Sequence, residues 1–385
     1  MNPEDFRSSS SGRAIRTPRG FAAFVPNPLP PSLTWTPALA QALSEADRAL
    51  GALAGLGNAL PNPHLLVSPF VRREAVLSSR IEGTRASLTD LYVLEAKQLE
   101  LFETPADVHE VHNYVTALEF GFKRSDKLPI SLRLIREIHA RLMEGVRGEH
   151  LTPGEFRQTP NWIGPAGSTL ETAPYVPPPP EEMQQTLADF ETFLHAESDL
   201  PPLVRLGLVH YQFEAIHPFL DGNGRVGRLL ISILLGAWNL MPQPLLYLSA
   251  YFEAHQQGYY DQLLAVSQRG AWNEWLIFFL DGVAVQSRDA VQRIQRLQDL
   301  RERYRQRVQA TRAAARLLQV VDLLFANPLI TVSTVQSALK VQFPVAQRYV
   351  NQLVTARVLR EITGRARNRV YRAEEILRVI DAPLE

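Results

Sequence analysis

Apolar residues recur at intervals of three and four along most of this chain, and that spacing predicts helices. Leu39, Leu43, Ala46, Leu50, Leu53 and Leu56 mark one helix between Pro37 and Leu60. A second is predicted from Pro69 to Ile81, followed by Glu82-Gly83, where Gly83 suits a C-terminal cap. Residues 105–147 hold two more, striped by Val108, Val111, Val115, Leu118 and Phe122 and then by Leu132, Ile135, Ile138, Leu142 and Met143. Met183 to His195 and Pro202 to Ile216 follow, and Leu229 to Leu240 is apolar nearly all round, as a central buried helix must be. Trp272 and Trp275 read as core on a later helix. From Ala284 to Val308 a charged helix keeps only a thin stripe of Val291, Ile294, Leu297, Leu300 and Tyr304, suited to bridging two domains or to self-association.

Two stretches break the period. Residues 1–33 are rich in Ser, Arg, Gly and Pro, which predicts a flexible arm that buries little. Arg157 to Pro180 contains Trp162 and Ile163, a Gly-Pro-Ala-Gly turn, then Tyr175 and Val176, which fits a β-hairpin and equally an irregular surface loop. Near the end, helices over 313–326, 331–339 and 344–356 precede strands at 359–362 and 369–372 around a turn at Gly364. Three short helices and a basic hairpin resemble a winged helix. At 385 residues the chain is too long for one ordinary core. The pattern divides it into an arm (1–33), an N-terminal helical region (34–104), a helical core (105–283), a connecting helix (284–310) and a winged-helix-like domain (311–385), and the fold class is mainly α.

Charge adds one local feature to this picture. Forty basic and forty acidic residues cancel, so no global field draws nucleic acid or membrane. Between Thr311 and Arg372, however, ten basic residues stand against two acidic ones. Such a concentration suits DNA phosphates, and it equally suits docking of a protein or dimer contacts. There is no cysteine, which excludes disulfides and thiolate-held metal and fits a reducing cytosol. The first residues form no apolar signal core, and the run from Leu229 to Trp238 is too short to span a bilayer, so a soluble, cytoplasmic protein without membrane contact is expected.

The chemistry concentrates between His217 and Arg228, in His217-Pro218-Phe219-Leu220-Asp221-Gly222-Asn223-Gly224-Arg225-Val226-Gly227-Arg228, directly before the apolar helix. His217 can be neutral near pH 7 and accept a proton from a hydroxyl. Asp221 is a hard oxygen ligand suited to Mg²⁺ bridged to phosphates. Gly222-Asn223-Gly224 lets successive N–H groups converge on one anion at a helix start, where the helix dipole adds to the attraction. Arg225 and Arg228 are three apart, and either can fork onto phosphate oxygens. Each piece alone is ordinary, since an Asp-Gly-Asn-Gly run is a common turn and arginine pairs on helices are mostly solvated. Their order within twelve residues is not, and it suits a nucleotide phosphate.

These residues resemble the signature of the Fic (filamentation induced by cAMP) family, H-P-F-x-D/E-G-N-G-R-x-x-R, with no departure. The resemblance implies a Fic-type helical core and transfer of AMP from ATP to a Ser, Thr or Tyr hydroxyl of a protein target. It makes His217 the base, Asp221 the Mg²⁺ ligand, Gly222, Asn223 and Gly224 the cradle of the α- and β-phosphates, and Arg228 the partner of the γ-phosphate, with Arg225 and Gly227 completing the nucleotide-binding loop. Phe219 becomes a buried anchor, and Tyr260, rather than Tyr259, the tyrosine beside the adenosine. Ser267 stands where some relatives have Asn. The segment from Gly154 and Arg157 onward resembles the family's flap, which holds the target as an added strand.

Ser78, Glu82 and Gly83 resemble the inhibitory motif S/T-x-x-x-E-G/N that many of these proteins carry. By that likeness Glu82 pairs with Arg228 in place of the γ-phosphate, and in some relatives the corresponding Glu also supports removal of AMP. Two other readings stay open: a phosphotransferase like the Doc branch, opposed by Gly224 where that branch carries Lys, and a nucleotide-sensing DNA-binding regulator, opposed by the intact His217. Self-modification, a homodimer and DNA held by 311–385 are left open as further partners.

Overall fold

A computed structural model of the protein describes residues 1–60, 62–96, 105–309 and 313–383. The apolar stripes fold as their period predicts. After a 3-10 turn at Pro3–Phe6, strands β1 (Gly12–Arg16) and β2 (Ala22–Pro26) precede α1 (Pro37–Ala59), α2 (His64–Ile81), α3 (Leu88–Glu95), α4 (Ala106–Ser125) and α5 (Leu132–Leu142). Then come α6 (Pro180–His195), α7 (Pro202–Ile216), α8 (Asn223–Ala237), α9 (Ser249–Ala254), α10 (Gln256–Arg269) and α11 (Trp272–Gln309). The C-terminal unit is α12 (Ala314–Ala326), β3 (Leu329–Thr331), α13 (Val332–Leu339), α14 (Phe343–Thr355), β4 (Arg360–Glu361), β5 (Val370–Arg372) and α15 (Glu374–Asp381). Among the described residues no helix is long and apolar enough to cross a membrane.

Helices α7 and α8 are buried along almost their whole length and form the centre. Around them pack α4, α5, α6, α10 and α11. Burial on every side fixes both ends of the loop from Ile216 to Asn223 between rigid elements, which suits a site needing fixed geometry. Trp272 and Trp275 are core, as expected, with Trp275 Nε1 donating to the Gly207 carbonyl at 2.9 Å.

The N-terminal segment corrects the expectation of a flexible arm. β1 and β2 pair antiparallel with Gly12 opposite Pro26, every residue of β2 is buried, and the Phe24 N–H donates to the Val176 carbonyl at 2.9 Å. Phe6, Phe24 and Tyr175 pack ring on ring, and the Met1 ammonium donates to the Leu170 and Glu171 carbonyls. Apolar Ala22-Ala23-Phe24-Val25 outweighs the polar composition around it, so this segment is a layer of the core. The hairpin over 157–180 is reduced to one antiparallel bridge, Ile163 with Tyr175.

No break separates a connecting helix from the core, because α11 is continuous over 38 residues and lies along α1. The C-terminal unit has the expected three helices and wing, with two additions: β3 completes a sheet of order β3-β5-β4, and α15 packs back on α11. Arg293 of α11 holds that end, donating to the carbonyls of Val379 and Ala382, both at 2.7 Å. The proposed boundaries at 104/105 and 310/311, together with Thr311 and Arg312 of the basic stretch, fall on or against positions outside the described residues. Helix α2 begins earlier than predicted and spans two regions. Its first turns meet α12, with Ser68 Oγ donating to the Ala326 carbonyl at 3.1 Å, while its last turn reaches Arg228 in the first turns of α8.

Candidate active site

The loop between α7 and α8 is built on Phe219 and Asn223. Phe219 is fully buried, and its ring stacks on His139 of α5 with centroids 3.7 Å apart. Asn223 closes the turn from within, its Oδ1 accepting from the Phe219 N–H and its Nδ2 donating to the Phe219 carbonyl, both at 2.8 Å. That side chain is therefore committed to the loop, leaving the Asn223 backbone N–H for an anion. Gly222 sits at φ +78°, a left-handed turn that glycine adopts without strain. The first N–H groups of α8 have no acceptor within the helix and converge at this point.

His217 ends α7 in a left-handed conformation, φ +49°, which a non-glycine residue holds only when its surroundings impose it. The imposing group is Arg157. Its buried guanidinium donates to the His217 carbonyl at 2.9 Å, the Pro178 carbonyl at 2.6 Å and the Ile216 carbonyl at 3.3 Å, and Asn161 Nδ2 adds a bond to the Phe219 carbonyl at 2.8 Å. Burial and the nearby Arg157 charge push the His217 imidazole down to about 4, so the ring is neutral at pH 7 and able to accept a proton.

Arg228 is fully engaged by the last turn of α2. Its Nε donates to Ser78 Oγ at 2.8 Å, and its Nη2 to the Ser78 carbonyl at 2.9 Å and to Glu82 Oε1 at 2.6 Å. The Arg228 side chain is 2% exposed and that of Glu82 32%. Burial alone would raise the Glu82 carboxyl, yet Arg228 pulls it below the ordinary carboxylate value. Gly83 follows at φ +93°, where a side chain would be strained. Glu82 lies over bare backbone: a Cβ on Gly224 would collide with Glu82 Oε1 and come within 2.9 Å of Arg228 Nη1. The carboxylate thus fills the space directly above the glycine turn.

Two expected site residues are not brought to that space. Arg225 is 2% exposed and turned toward α4, its Nη1 bonded to Glu110 Oε2 at 3.2 Å and its Nη2 4.0 Å from Asp221 Oδ1, so it forms a buried ion pair behind the cradle. The two arginines lie about 60° apart around α8, enough for Arg225 to meet Glu110 of α4 while Arg228 meets Ser78 and Glu82 of α2. Gly227 faces α7, where a Cβ would strike Glu214, so it permits close helix packing and does not line the cradle. Tyr260 is 39% exposed, and its ring lies 5.4 Å from that of buried Tyr259.

Asp221 keeps 40% of its side chain exposed at the mouth of the cradle, while its Oδ1 accepts from the Gly222 N–H at 2.7 Å. Among the described residues no group of three His, Cys, Asp or Glu side chains is placed to hold a metal. A lone exposed carboxylate beside an anion cradle fits Mg²⁺, which takes one or two carboxylates, phosphate oxygens and waters.

Comparison with known families bears directly on this arrangement. The Fic/DOC family model matches residues 129–235, and the Fic/DOC family N-terminal model matches residues 40–123. The helical core therefore carries a Fic/DOC family domain over residues 129–235. A model described as HTH DNA binding domain matches residues 317–376 of the C-terminal unit. The protein adenylyltransferase Fic of Drosophila grimshawi is 34% identical over 131 residues, 32% of this chain and 25% of that protein; that of Drosophila willistoni is 34% identical over 131 residues, covering 32% and 24%. The match therefore spans about a quarter of these relatives' length. Among solved structures, a Fic family protein from Desulfovibrio desulfuricans G20 covers 90% of this chain and 98% of its own at 21% identity and TM-score 0.59. Fic-1 from C. elegans covers 66% and 73% at 21% identity and TM-score 0.51. These two likenesses show a Fic fold.

Arg157, Asn161 and His139 hold the Fic loop, and of these the sequence points only to Arg157, at the start of the flap. Arg157 and Asn161 bind only carbonyls, a role without any spacing signal. His139 of α5 is structural, and its position matters: Nδ1 accepts from the Gly154 N–H at 2.8 Å, so Nε2 carries the proton and donates to the Asp221 carbonyl at 3.0 Å. Burial pushes its imidazole down to about 4, keeping that tautomer neutral.

Proposed function

We propose that this protein transfers AMP from ATP to a Ser, Thr or Tyr hydroxyl of a protein target, and that Glu82 holds the transfer off. The observation that carries the reading is the seating of Glu82 on Arg228 above bare Gly224, because an Arg–carboxylate fork competes directly with an Arg–phosphate fork. The adenylyltransferase names of the curated relatives support the same reaction class.

In this reading the N–H groups at the start of α8 bind the α- and β-phosphates, and Arg228, once free of Glu82, takes the γ-phosphate. His217 accepts the proton of the target hydroxyl at Nε2. The hydroxyl oxygen bonds to the α-phosphorus as the bond from that phosphorus to the bridging oxygen breaks, and pyrophosphate leaves. Asp221 would hold Mg²⁺, which supplies charge neutralisation for the phosphates. Arg157 and Asn161 keep His217 and Phe219 fixed, so the base does not reorganise during the reaction. Tyr260 stands beside the cleft as the adenosine contact. Intact-mass analysis of the full chain carrying Glu82→Gly, incubated with ATP and Mg²⁺ and a cell lysate, is expected to show one added AMP on the chain or on a target. Unchanged masses throughout would oppose the proposal.

For the C-terminal unit, the basic stretch and the match to an HTH DNA binding domain favour DNA as a partner. Binding through Arg side chains to phosphates falls steeply with salt. The full chain is therefore expected to retain a DNA duplex at low salt and release it as salt rises, with retention weakened by Arg365→Ala, Arg367→Ala and Arg369→Ala together. Retention unaffected by salt and by the triple substitution would speak for a protein partner instead.

A further inference from the structure

Glu214 lies on the last turn of α7, three residues before His217, and its side chain is only 10% exposed. Its Oε1 has no hydrogen-bond partner, and its Oε2 stands 4.0 Å from His217 Nδ1. The ring's present bond there is a long one, Nδ1 to the Glu214 main-chain carbonyl at 3.3 Å. A buried carboxyl without hydrogen-bond support costs stability, so its presence calls for a reason. Gly227 sharpens the point. A Cβ at that position would collide with Glu214 Oε1 and lie 3.1 Å from its carboxyl carbon. The twelve-residue signature leaves position 227 open, and the cradle does not use it, so the glycine there is accounted for by the carboxyl it admits.

We propose that Glu214 is a positioning residue for His217: seated over bare backbone at Gly227, its carboxyl faces Nδ1, turns Nε2 toward the target hydroxyl and, when ionised, supports the positive ring formed as the proton arrives. The proposal rests on the transferase reading above, in which His217 accepts that proton. Nδ1 keeps its own proton throughout and Glu214 takes none, so the step remains a single transfer from hydroxyl to Nε2.

The groups facing Glu214 define how it titrates. Arg228 comes from α8, Glu82 from the end of α2, Tyr259 from α10 and His217 from the loop, with Tyr259 Oη already bonded to His210 Nε2 at 2.8 Å. Burial, opposed by Arg228 and reinforced by Glu82, pushes the carboxyl up to about 8. Below that value it is protonated and gives the ring no charge support; above it the carboxylate makes the ring a stronger base. Loss of the Glu82 charge moves its ionisation to lower pH, so in a Glu82→Gly protein transfer should rise with pH along a limb whose midpoint lies below about 8.

The test compares full-length Glu82→Gly with Glu82→Gly/Glu214→Gln, by label transfer from α-labelled ATP and by NMR titration of ring-labelled histidine. The Gln variant keeps the shape and removes the charge. It is expected to lower kcat by about tenfold or more, to leave the KM for ATP within about twofold, and to abolish the rising limb. A parental rate and an unchanged pH profile overturn the proposal. If Glu82→Gly moves no α-label, or His217→Ala keeps it, the transferase reading fails instead, and the ring titration decides alone. The His217 signal is then expected to show a second inflection as Glu214 ionises, absent in the Gln variant; a single inflection in both overturns the contact. Glu214→Asp guards against misfolding of the Gln variant, since it retains a titrating carboxyl and is expected to keep the inflection while transfer falls. Parental transfer by the Asp variant also overturns the role.

Discussion

Replacing Glu82 by glycine is expected to raise AMP transfer by about 10²–10³-fold, the range by which one preorganised donor to a developing charge alters a rate. Arg228 makes three bonds to α2, and the substitution removes only the one to Glu82. Ser78 still orients the guanidinium, so the fork is released toward the cradle without being freed to wander. The space over Gly224 opens at the same time. A binding readout accompanies the kinetic one. Without ATP the variant leaves a buried arginine short of its carboxylate, so its melting temperature falls; saturating ATP supplies the missing anion, and the thermal shift exceeds that of the unaltered chain. A similar shift in both proteins would show that Glu82 does not occupy the phosphate position. The contact also has a pH sign. Because Arg228 lowers the Glu82 value in the folded chain, the stabilisation it gives is present above 4.5 and is lost as pH falls through that lowered value.

His217→Ala in the Glu82→Gly background is expected to lower transfer by about 10²–10⁴-fold, the usual weight of a general base, while ATP binding measured by calorimetry changes little. The separation follows from where the ring sits. His217 is held from its carbonyl side by Arg157, whereas the phosphate cradle begins five residues later at the start of α8. Removing the imidazole leaves the backbone bonds of the loop in place. An equal loss of ATP affinity would place His217 in nucleotide binding instead of proton transfer.

The helical core was legible in the sequence because each helix buries one face, and burial writes a period of 3.6 into the apolar positions. The motif was legible because its backbone needs special residues, a positive φ at Gly222 and room above Gly224, that leave a fixed pattern. What was not legible depends on partners distant in the chain. The pairing of Arg228 with Glu82 was implied by the motif, but the burial of Arg225 against Glu110 on α4 was not. The N-terminal hairpin is fixed by Val176 and Tyr175, some 150 residues away, so its polar composition misled. Helix α3 had a local signal that went unread, a capping box between Ser87 and Asp90, but its eight residues carry too few turns to show a period. Arg157 was marked only as part of the flap, and its grip on the loop left no trace, since carbonyl oxygens belong to every residue.

One measurement tests the central claim most directly: incubation of the unaltered chain, Glu82→Gly and Glu82→Gly/His217→Ala with Mg²⁺ and ATP labelled at either the α- or the γ-phosphate. The account predicts protein-bound α-label that is low in the unaltered chain, high in Glu82→Gly and absent in the double variant, with no γ-label bound in any. Transfer of γ-label, or α-label that is indifferent to Glu82, would contradict it.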